Sequence, residues 1–333
     1  MRILVFEYVT GGGLRAEPLP RGLLREGESM LRGLLADLLG ISGIHLLVPR
    51  DDRLPTPLPG DVRLQWIPVG AGPGYGPAWH DGLQLCDAVW PIAPETGGIL
   101  ERLCRDAESA GKPLLTSGSS AVRLAASKKA TTDRLTRADV PAVPTFRWEE
   151  TPADLSYPRV IKPDDGVGCE GLAIFPEARR WPEHPPHRNS VVQPWLDGDT
   201  LSLSVLFHHG RAQLLSCNRL ELRHRGEGLV LTACRVNAFA DRDGSWQDLA
   251  AAIGEAVPEL WGYVGIDLVA TTTGPCVLEI NPRLTTSYAG IRTATGVNPA
   301  ALVLQRLGWN GLQPLATSAT GCVRVRPGVS LGH

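Results

Sequence analysis

A lysine followed by a glycine-rich loop has the residue types that phosphate binding requires. Lys162 ends an apolar run, and Gly166, Gly168 and Gly171 follow it closely. Glycines allow backbone N–H groups to approach phosphate oxygens, and the lysine adds a positive charge beside the same oxygens. Because many glycine-rich hairpin turns bind no ligand, this loop indicates a phosphate site only together with other motifs.

Two apolar segments on either side of a turn at residues 271–275 carry oxygen donors. In an antiparallel hairpin centred near that turn, Asp267 lies opposite Glu279, and Asn281 points to the same face as Glu279. Two carboxylates and an amide, without His or Cys, suit Mg²⁺, and Mn²⁺ could take the same position. The alternative is a polar surface hairpin, but an unpaired charge at Glu279 would be costly in so apolar a strand.

Further residues could act on a nucleotide and on the reacting phosphate. Arg283 would place a permanent positive charge beside a developing acyl phosphate or oxyanion, although a structural salt bridge is the alternative. Gln193, Trp195 and Leu196 pass from a strand into a turn and could present backbone groups and a flat apolar surface to adenine. Asp199, just beyond, offers an acid for ribose hydroxyls.

The elements that must position these residues begin with strands alternating with helices. This alternation favours a parallel α/β lobe in the first third of the chain. The apolar spacing predicts strands at residues 2–6, 44–48, 88–93 and 113–116 and helices at 28–39 and 99–110. A proline-rich stretch up to residue 76 carries no predicted element, and residues 70–77 are predicted to form a surface loop.

The pattern changes after residue 117. One helical stretch runs through Lys128 and Leu135, and closely spaced strands joined by turns predict an antiparallel sheet. These strands are predicted at residues 159–162, 172–175, 190–196, 201–207 and 212–217. We therefore predict an α/β fold with α+β lobes, divided into residues 1–117, 118–196 and 197–333.

The composition excludes several classes of protein. With 333 residues, 43% of them apolar and 20% charged, the chain can bury the cores of two or three lobes. A net charge of -2 gives no long-range field for a nucleic-acid partner. The sequence has neither a signal peptide nor a membrane-length apolar run, so the cytoplasm is the expected location. Seven scattered cysteines without a CxxC pair fit neither a disulfide framework nor a zinc site.

The order of the motifs resembles the ATP-grasp superfamily. Over residues 120–285 it runs through SKKATTDRL with Lys128, VIKP with Lys162, GVGCEG, QPWLDGD, IDL and LEINPR. The resemblance implies an ATP-grasp fold with a Rossmann-like parallel N-terminal lobe, a small central lobe and a C-terminal lobe with an antiparallel sheet. It also implies that ATP and Mg²⁺ are used to ligate a small-molecule carboxylate and an amine. Homodimers are common among such ligases.

The same resemblance assigns roles to the residues named above. Lys128 and Lys162 would contact the ATP phosphates, with residues 166–171 closing over them, although Lys129 competes with Lys128 for this role. Gln193, Trp195 and Leu196 would line the adenine pocket, and Asp199 would hold the ribose. The metal ligands would be Asp267, Glu279 and Asn281. Arg283 would stabilise the reacting phosphate. The sequence departs from the family pattern in that Gln193 and Asp199 stand where glutamates are commoner, and the register near Asp199 is open by one residue.

A narrower resemblance lies outside the ATP motifs. FEYVTGGGL at 6–14, PIAPETGGIL at 91–100 and NPRLTTSYAGIRTATGVN at 281–298 are similar to the tyramine:glutamate ligase group of methanofuran biosynthesis. This implies an amide or isopeptide bond between a glutamate carboxylate and tyramine, tyrosine or another amine. The implied substrate-side residues are Gly11, Gly12, Gly13, Glu95, Thr96, Thr285, Thr286 and Ser287. Glu95 could hold an ammonium group or could stabilise the following helix, and the hydroxyls could orient a carboxylate.

Three alternatives remain at this point. A ligase with the same ATP site could make a dipeptide or act on a peptide. An ATP-binding subunit without turnover would need no catalytic residues, which disagrees with the intact set at Asp267, Glu279, Asn281 and Arg283. A nicotinamide-dependent oxidoreductase would use the glycines at 11–13, but these lack the GxGxxG spacing.

Overall fold

The computed structural model describes residues 1–58, 60–72, 74–309, 319 and 321–326. Within these ranges the strands are β1 Arg2–Glu7, β2 His45–Asp51, β3 Leu64–Val69, β4 Ala88–Ile92, β5 Phe146–Arg147, β6 Arg159–Pro163, β7 Ala173–Phe175, β8 Ser190–Pro194, β9 Asp199–His208, β10 Arg211–Arg225, β11 Gly228–Phe239, β12 Gly262–Thr271, β13 Gly274–Asn281 and β14 Val323–Val325. The α-helices are α1 Arg21–Leu39, α2 Gly76–Leu85, α3 Ile99–Ser109, α4 Ser119–Ala126, α5 Lys128–Arg137, α6 Ser245–Ala256, α7 Tyr288–Thr295 and α8 Pro299–Arg306.

The N-terminal sheet is parallel, with the strand order β3-β2-β1-β4. Alternate residues of β1 face opposite sides, so Ile3 and Val5 pack with the leucine stripe of α1, whereas Leu4 and Phe6 pack with α2 and α3. The carboxyl ends of these strands meet at one edge, where ligands of parallel α/β sheets usually bind.

Several sequence predictions for this lobe need correction. The proline-rich stretch contains β3, which tolerates Pro68 because β3 is an edge strand. Helix α2 occupies the segment after the predicted loop, with a proline in its first turn. Residues 113–116 contribute a single bridge between Leu114 and Val89 rather than a strand. Helix α1 begins at Arg21, earlier than its apolar spacing indicated.

A six-stranded sheet with the order β13-β12-β9-β10-β11-β14 forms the largest layer. All its pairings are antiparallel within the described residues. Helices α4, α5 and α6 cover one face through residues such as Leu135 and Ile253. Helices α7, α8 and α1 cover part of the other face, and the uncovered part faces a cleft.

The helical stretch predicted through Lys128 is two helices. Ser127 separates α4 from α5, and its Oγ accepts a hydrogen bond from the Ala130 N–H at 3.0 Å, which caps α5. Lys128 therefore lies in the first turn of α5. The N-cap fixes the direction from which Lys128 enters the cleft.

A small four-stranded sheet, β5-β8-β6-β7, lies on the other side of the cleft. Its core contains Ile161, Phe175 and Val192, and the stacked rings of Trp148 and Trp181 extend that core. Strand β8 ends at Pro194, two residues before the predicted end. In the described part of the chain, no helix is long and apolar enough to cross a membrane.

Candidate active site

The cleft between the small sheet and the six-stranded sheet has a cavity volume of about 220 Å³. Its wall is apolar where it is formed by Val160, Leu172, Leu220, Leu222, Leu229, Val269 and Leu278. Charged side chains also line it, and four of them, Lys128, Lys162, Asp267 and Glu279, lie close to one another. The cleft thus combines a surface for a flat apolar ring with a concentrated charged group.

Lys128 rather than Lys129 points into this cleft. The Lys128 Nζ donates to the Gly166 carbonyl at 2.6 Å and lies 3.4 Å from Glu279 Oε2. Lys129 instead pairs with Asp133 at 2.7 Å on the same helix. The structure therefore brings only the first of these two lysines to the predicted phosphate site.

Lys162 is the penultimate residue of β6 and is 8% exposed. Burial lowers the pKa of its ammonium to about 8, and the neighbouring Lys128 adds to that effect, while Glu279 opposes it. Two ammonium groups held close together are favourable only where negative charge offsets them. This position is the one that anionic phosphates would occupy.

The hairpin of β12 and β13 has the predicted register. Asp267 pairs directly with Glu279, and Asn281 Nδ2 donates to Asp267 Oδ2 at 3.2 Å. Burial and the Glu279 charge raise the pKa of Asp267 to about 8. Burial alone would raise the pKa of Glu279 as well, but Lys128 and Lys162 lower it. The two carboxylates therefore repel each other, and a divalent cation would relieve that repulsion.

The donor set of the hairpin fits Mg²⁺, because it consists of hard oxygens with room for phosphate ligands. No group of three or more His, Cys, Asp or Glu side chains suited to a metal occurs among the described residues. The hairpin contributes only two such side chains, the carboxylates, because its third donor is an amide. Mg²⁺ typically takes only one or two carboxylates and completes its shell with water and phosphate, so this set is sufficient.

The glycine-rich loop is held from two sides. Lys128 Nζ donates to the carbonyl of Asp164 at 3.2 Å. On the opposite side, Thr96 Oγ1 donates to the Asp165 carbonyl at 2.8 Å, and the Gly97 N–H donates to Asp165 Oδ2 at 2.9 Å. The loop therefore connects the nucleotide cleft to the turn that follows β4.

Only part of this loop faces the cleft. Gly166 lines it together with Cys169 and Glu170, whereas Gly168 and Gly171 shape the turn with φ of 61° and 70°. A Cβ on Gly171 would lie 2.8 Å from His187 Nε2, so this position also requires glycine for space. Burial raises the pKa of the Cys169 thiol to about 11, which argues against a nucleophilic role for it.

Arg283 and Glu95 form a buried ion pair beside the metal hairpin. Arg283 Nε and Nη2 both reach Glu95 Oε2, at 3.0 and 2.9 Å, and Nη2 lies 3.5 Å from Asn281 Oδ1. Burial opposes the charge of Arg283, but Glu95 raises its pKa above the ordinary value. Glu95 makes no capping hydrogen bond to the short 3₁₀ turn Thr96–Gly98 that it precedes. The structure thus joins Glu95 to Arg283, two residues after the end of β13, rather than to a helix terminus.

The predicted adenine segment lines the cleft. Gln193 is 2% exposed and donates from Nε2 to Thr145 Oγ1 at 2.7 Å. Trp195 and Leu196 follow at the end of β8, and the Trp195 Nε1–H donates to Asp197 at 3.0 Å. Because this segment joins the small sheet to β9, it borders both sides of the cleft.

The ribose role of Asp199 stays a prediction, and the structure places this residue outside the lining of the cleft. Asp199 is exposed, pairs with Arg219 through two hydrogen bonds of 2.9 Å and does not line the cleft. Thr200, one residue later, faces the cleft instead. Successive side chains of a strand point to opposite sides. A shift of one residue in register therefore determines whether Asp199 or Thr200 faces the cleft.

The predicted carboxylate-binding hydroxyls also require correction. Thr285 and Ser287 belong to a buried hydroxyl network with Ser204 and Tyr263, in which neighbouring oxygens lie 2.9–3.1 Å apart. Thr286 Oγ1 donates to Glu26 at 2.7 Å. These groups already have protein partners, so they fix the segment after Arg283 instead of offering donors to a substrate.

The triple glycine permits close packing at the end of β1. A Cβ on Gly11 would lie 2.6 Å from both the Phe6 ring and the Glu7 carbonyl. Gly12 and Gly13 line a second cavity with Tyr75 and Trp79. Its relation to a substrate stays a prediction. Sequence reasoning missed the apolar wall formed by Leu220, Leu222 and Leu229, although their alternation along β10 and β11 could have indicated it.

Two family models match the chain. The ATP-grasp domain model matches residues 125–287, and the pre-ATP-grasp domain model matches residues 44–122. Together with the cleft and its charged group, these matches show that the chain belongs to the ATP-grasp superfamily and is a ligase that forms carbon–nitrogen bonds from a carboxylate and an amine with ATP.

Two relatives and one crystal structure are similar to most of the chain. The chain is 28% identical over 296 residues to the tyramine–L-glutamate ligase of Methanocaldococcus fervens, covering 87% of this chain and 89% of the relative. It is 26% identical over 293 residues to the enzyme of that name from Methanocaldococcus jannaschii, covering 87% and 85%. A crystal structure of an ATP-grasp superfamily protein from Archaeoglobus fulgidus shares the fold, with a TM-score of 0.72, 22% identity and coverage of 97% and 91%.

Proposed function

We propose that this ligase joins L-glutamate to tyramine, or to a related aromatic amine, and consumes ATP. The observation that carries the reaction type is the group of two buried lysines and two half-buried carboxylates at one cleft. Similarity over most of both chains to two tyramine–L-glutamate ligases supports the substrate pair. The product would be a glutamyl amide for a methanofuran-type cofactor.

The cleft residues divide between the two ends of ATP. Lys128 and Lys162 hold the phosphates, and residues 166–171 cover them with backbone N–H groups. Residues 193–196 and the apolar wall receive the adenine ring. Thr200, which faces the cleft, replaces Asp199 as the candidate for the ribose.

Asp267, Glu279 and Asn281 would hold Mg²⁺, or Mn²⁺ in its place. When bound, the ion neutralises phosphate charge and polarises the γ-phosphate. The position of the two carboxylates supports this assignment, because burial and the Glu279 charge raise the pKa of Asp267, and a bound cation would allow both groups to be charged.

The chemistry needs no covalent bond to the enzyme. The glutamate carboxylate attacks the γ-phosphorus of ATP, the bond from that phosphorus to the bridging oxygen breaks, and ADP leaves with its electrons. Lys128, Lys162 and Arg283 offset the negative charge that accumulates. The amine then displaces phosphate from the acyl phosphate. Binding both substrates at adjacent sites removes most of the entropic cost of the second step.

The test is phosphate release from Mg-ATP with L-glutamate, with and without tyramine or tyrosine, together with mass spectrometry of the products. We expect a glutamyl amide from the wild type and none from Glu279→Ala. Turnover only with other acid–amine pairs would reject the substrates and retain the ligase. Nucleotide binding without turnover for any pair would contradict the proposal.

A further inference from the structure

One oxygen of the buried Glu95 carboxylate has no hydrogen-bond donor among the described residues. Glu95 is 4% exposed, and both contacts from Arg283 go to Oε2, which leaves Oε1 without a protein partner. A buried carboxylate oxygen without a donor costs free energy that an incoming N–H group would recover. Oε1 is therefore a buried acceptor without a donor, on the carboxylate that holds Arg283.

The surroundings of Oε1 favour a positively charged ligand. Arg283 also donates to the Leu284 carbonyl at 3.0 Å, so Glu95 and a backbone oxygen engage its guanidinium. Glu26 adds a second negative charge that acts on Arg283, and its Oε1 already accepts from Thr286. Two carboxylates around one guanidinium leave an excess of negative charge, which attracts an ammonium group and would repel a second carboxylate substrate.

We propose that Glu95 is a catalytic residue that receives the amine substrate at Oε1 and accepts a proton from it. This assignment rests on the ligase reaction proposed above. Arg283, fixed by the other Glu95 oxygen, then lies beside both the amine and the acyl phosphate. One carboxylate thus sets the distance between the nucleophile and the charge that activates its target.

The protons and electrons balance in this scheme. The substrate ammonium gives one proton to Glu95 Oε1, which frees the nitrogen lone pair. That pair forms the C–N bond to the acyl carbon, and the C–O bond to phosphate breaks with its electrons on the departing phosphate. The second nitrogen proton goes to that phosphate, and Glu95 releases its proton to solvent.

A trapping experiment separates this role from mere positioning of Arg283. Hydroxylamine is a small nucleophile that is uncharged near pH 7, so it should intercept the acyl phosphate without an ammonium acceptor. The full chain is assayed with Mg-ATP, glutamate and either tyramine or hydroxylamine. In Glu95→Gln we expect amide formation to fall about 100-fold or more, the usual size of a lost general base. Hydroxamate formation should stay within about threefold, because acyl phosphate still forms.

Loss of both products to the same extent in folded Glu95→Gln would overturn the proposal, since Glu95 would then act only through Arg283. Retention of full amide formation would overturn it as well. Thermal unfolding checks that Glu95→Gln is folded. If it is not, amide and hydroxamate formation are compared in Glu95→Asp instead. Glu101→Gln, in the first turn of α3, is the matched control and should change neither product more than twofold.

The same assay distinguishes failure of the substrate assignment from failure of the role proposed for Glu95. Acids are first screened for hydroxamate formation by the wild type, and the acid that reacts is used for the comparison. A hydroxamate from an acid other than glutamate rejects the proposed substrate, while the ratio of amide to hydroxamate in Glu95→Gln still decides the role of Glu95.

Discussion

Two groups of buried polar side chains lie on the same face of the six-stranded sheet and differ in how they are satisfied. The hydroxyl network of Ser204, Tyr263, Thr285 and Ser287 is neutral, and its members bond to one another. The cleft group of Lys128, Lys162, Asp267 and Glu279 is charged, and its lysines and carboxylates are close to groups of like charge.

This difference in hydrogen bonding and charge distinguishes side chains that stabilise the fold from side chains suited to binding ligands. A satisfied neutral network contributes to stability without any ligand. A charged group with internal repulsion becomes favourable when phosphates and a cation bind, because they supply the missing opposite charges. Substitutions in the two groups should therefore affect different measurements.

The largest effect is expected for Asp267→Asn. Loss of a metal carboxylate should lower kcat by about 10³-fold, since metal stabilisation of the transition state contributes several kcal/mol. The free energy of unfolding near pH 7 should change little, because burial and Glu279 raise the pKa of Asp267 to about 8 and the amide has the shape of the protonated acid. Phosphate release and urea unfolding measure the two quantities. A variant with more than a tenth of wild-type activity would contradict the metal assignment.

The next effect concerns pH and ATP binding. With a pKa of about 8, Lys162 is charged below pH 8 and loses its proton above it. Affinity for ATP should therefore fall about tenfold between pH 7 and pH 9 as the charged fraction falls. Lys162→Arg should bind with little pH dependence over this range, because arginine keeps its charge. Calorimetric titration at both pH values tests this, and parallel loss in both proteins would refute it.

A smaller effect on activity is expected in the hydroxyl network. Tyr263→Phe removes a hydroxyl that lies 3.0–3.1 Å from Ser204, Thr285 and Ser287. The free energy of unfolding should fall by about 1–2 kcal/mol because buried hydroxyls lose a partner. We expect kcat to remain within about threefold, as measured by phosphate release. A loss of activity like that of Asp267→Asn would remove the distinction between the two groups.

The smallest effect is expected for Asp199→Asn. It breaks only the exposed ion pair with Arg219, which contributes less than about 1 kcal/mol. The KM for ATP should stay within about twofold of wild type, since Thr200 rather than Asp199 faces the cleft. A tenfold rise in KM would restore the ribose role of Asp199.

The sequence predicted those parts of the site that depend on local periodicity. The pairing of Asp267 with Glu279 follows from alternation along two strands joined by a short turn, and the structure has this register. Lys162 at the end of β6 and the glycines after it follow from the same reasoning. Their roles as metal ligands and phosphate contacts stay predictions.

The sequence could not predict the features that depend on distant partners. The hydroxyl of Ser287 looked free because its partner Ser204 is more than 80 residues away along the chain, and Thr285 bonds to Tyr263, 22 residues away. The register near Asp199 stayed open by one residue, and a shift of one residue moves a strand side chain to the opposite face. Edge strand β3 and helix α2 were missed because their prolines and glycines resemble loop sequences, although tertiary packing of Trp66 and Trp79 stabilises them.

The contact of Asp165 with Thr96 and Gly97 has a consequence for the timing of turnover. It joins the glycine-rich loop beside the cleft to the turn that carries Glu95. Two exposed hydrogen bonds contribute about 1 kcal/mol each, which is weak enough to open within the microseconds to milliseconds of loop motion. If this contact opened before the amide had formed, water could enter and hydrolyse the acyl phosphate. The fraction of ATP that is converted into product would therefore depend on how long the contact stays closed.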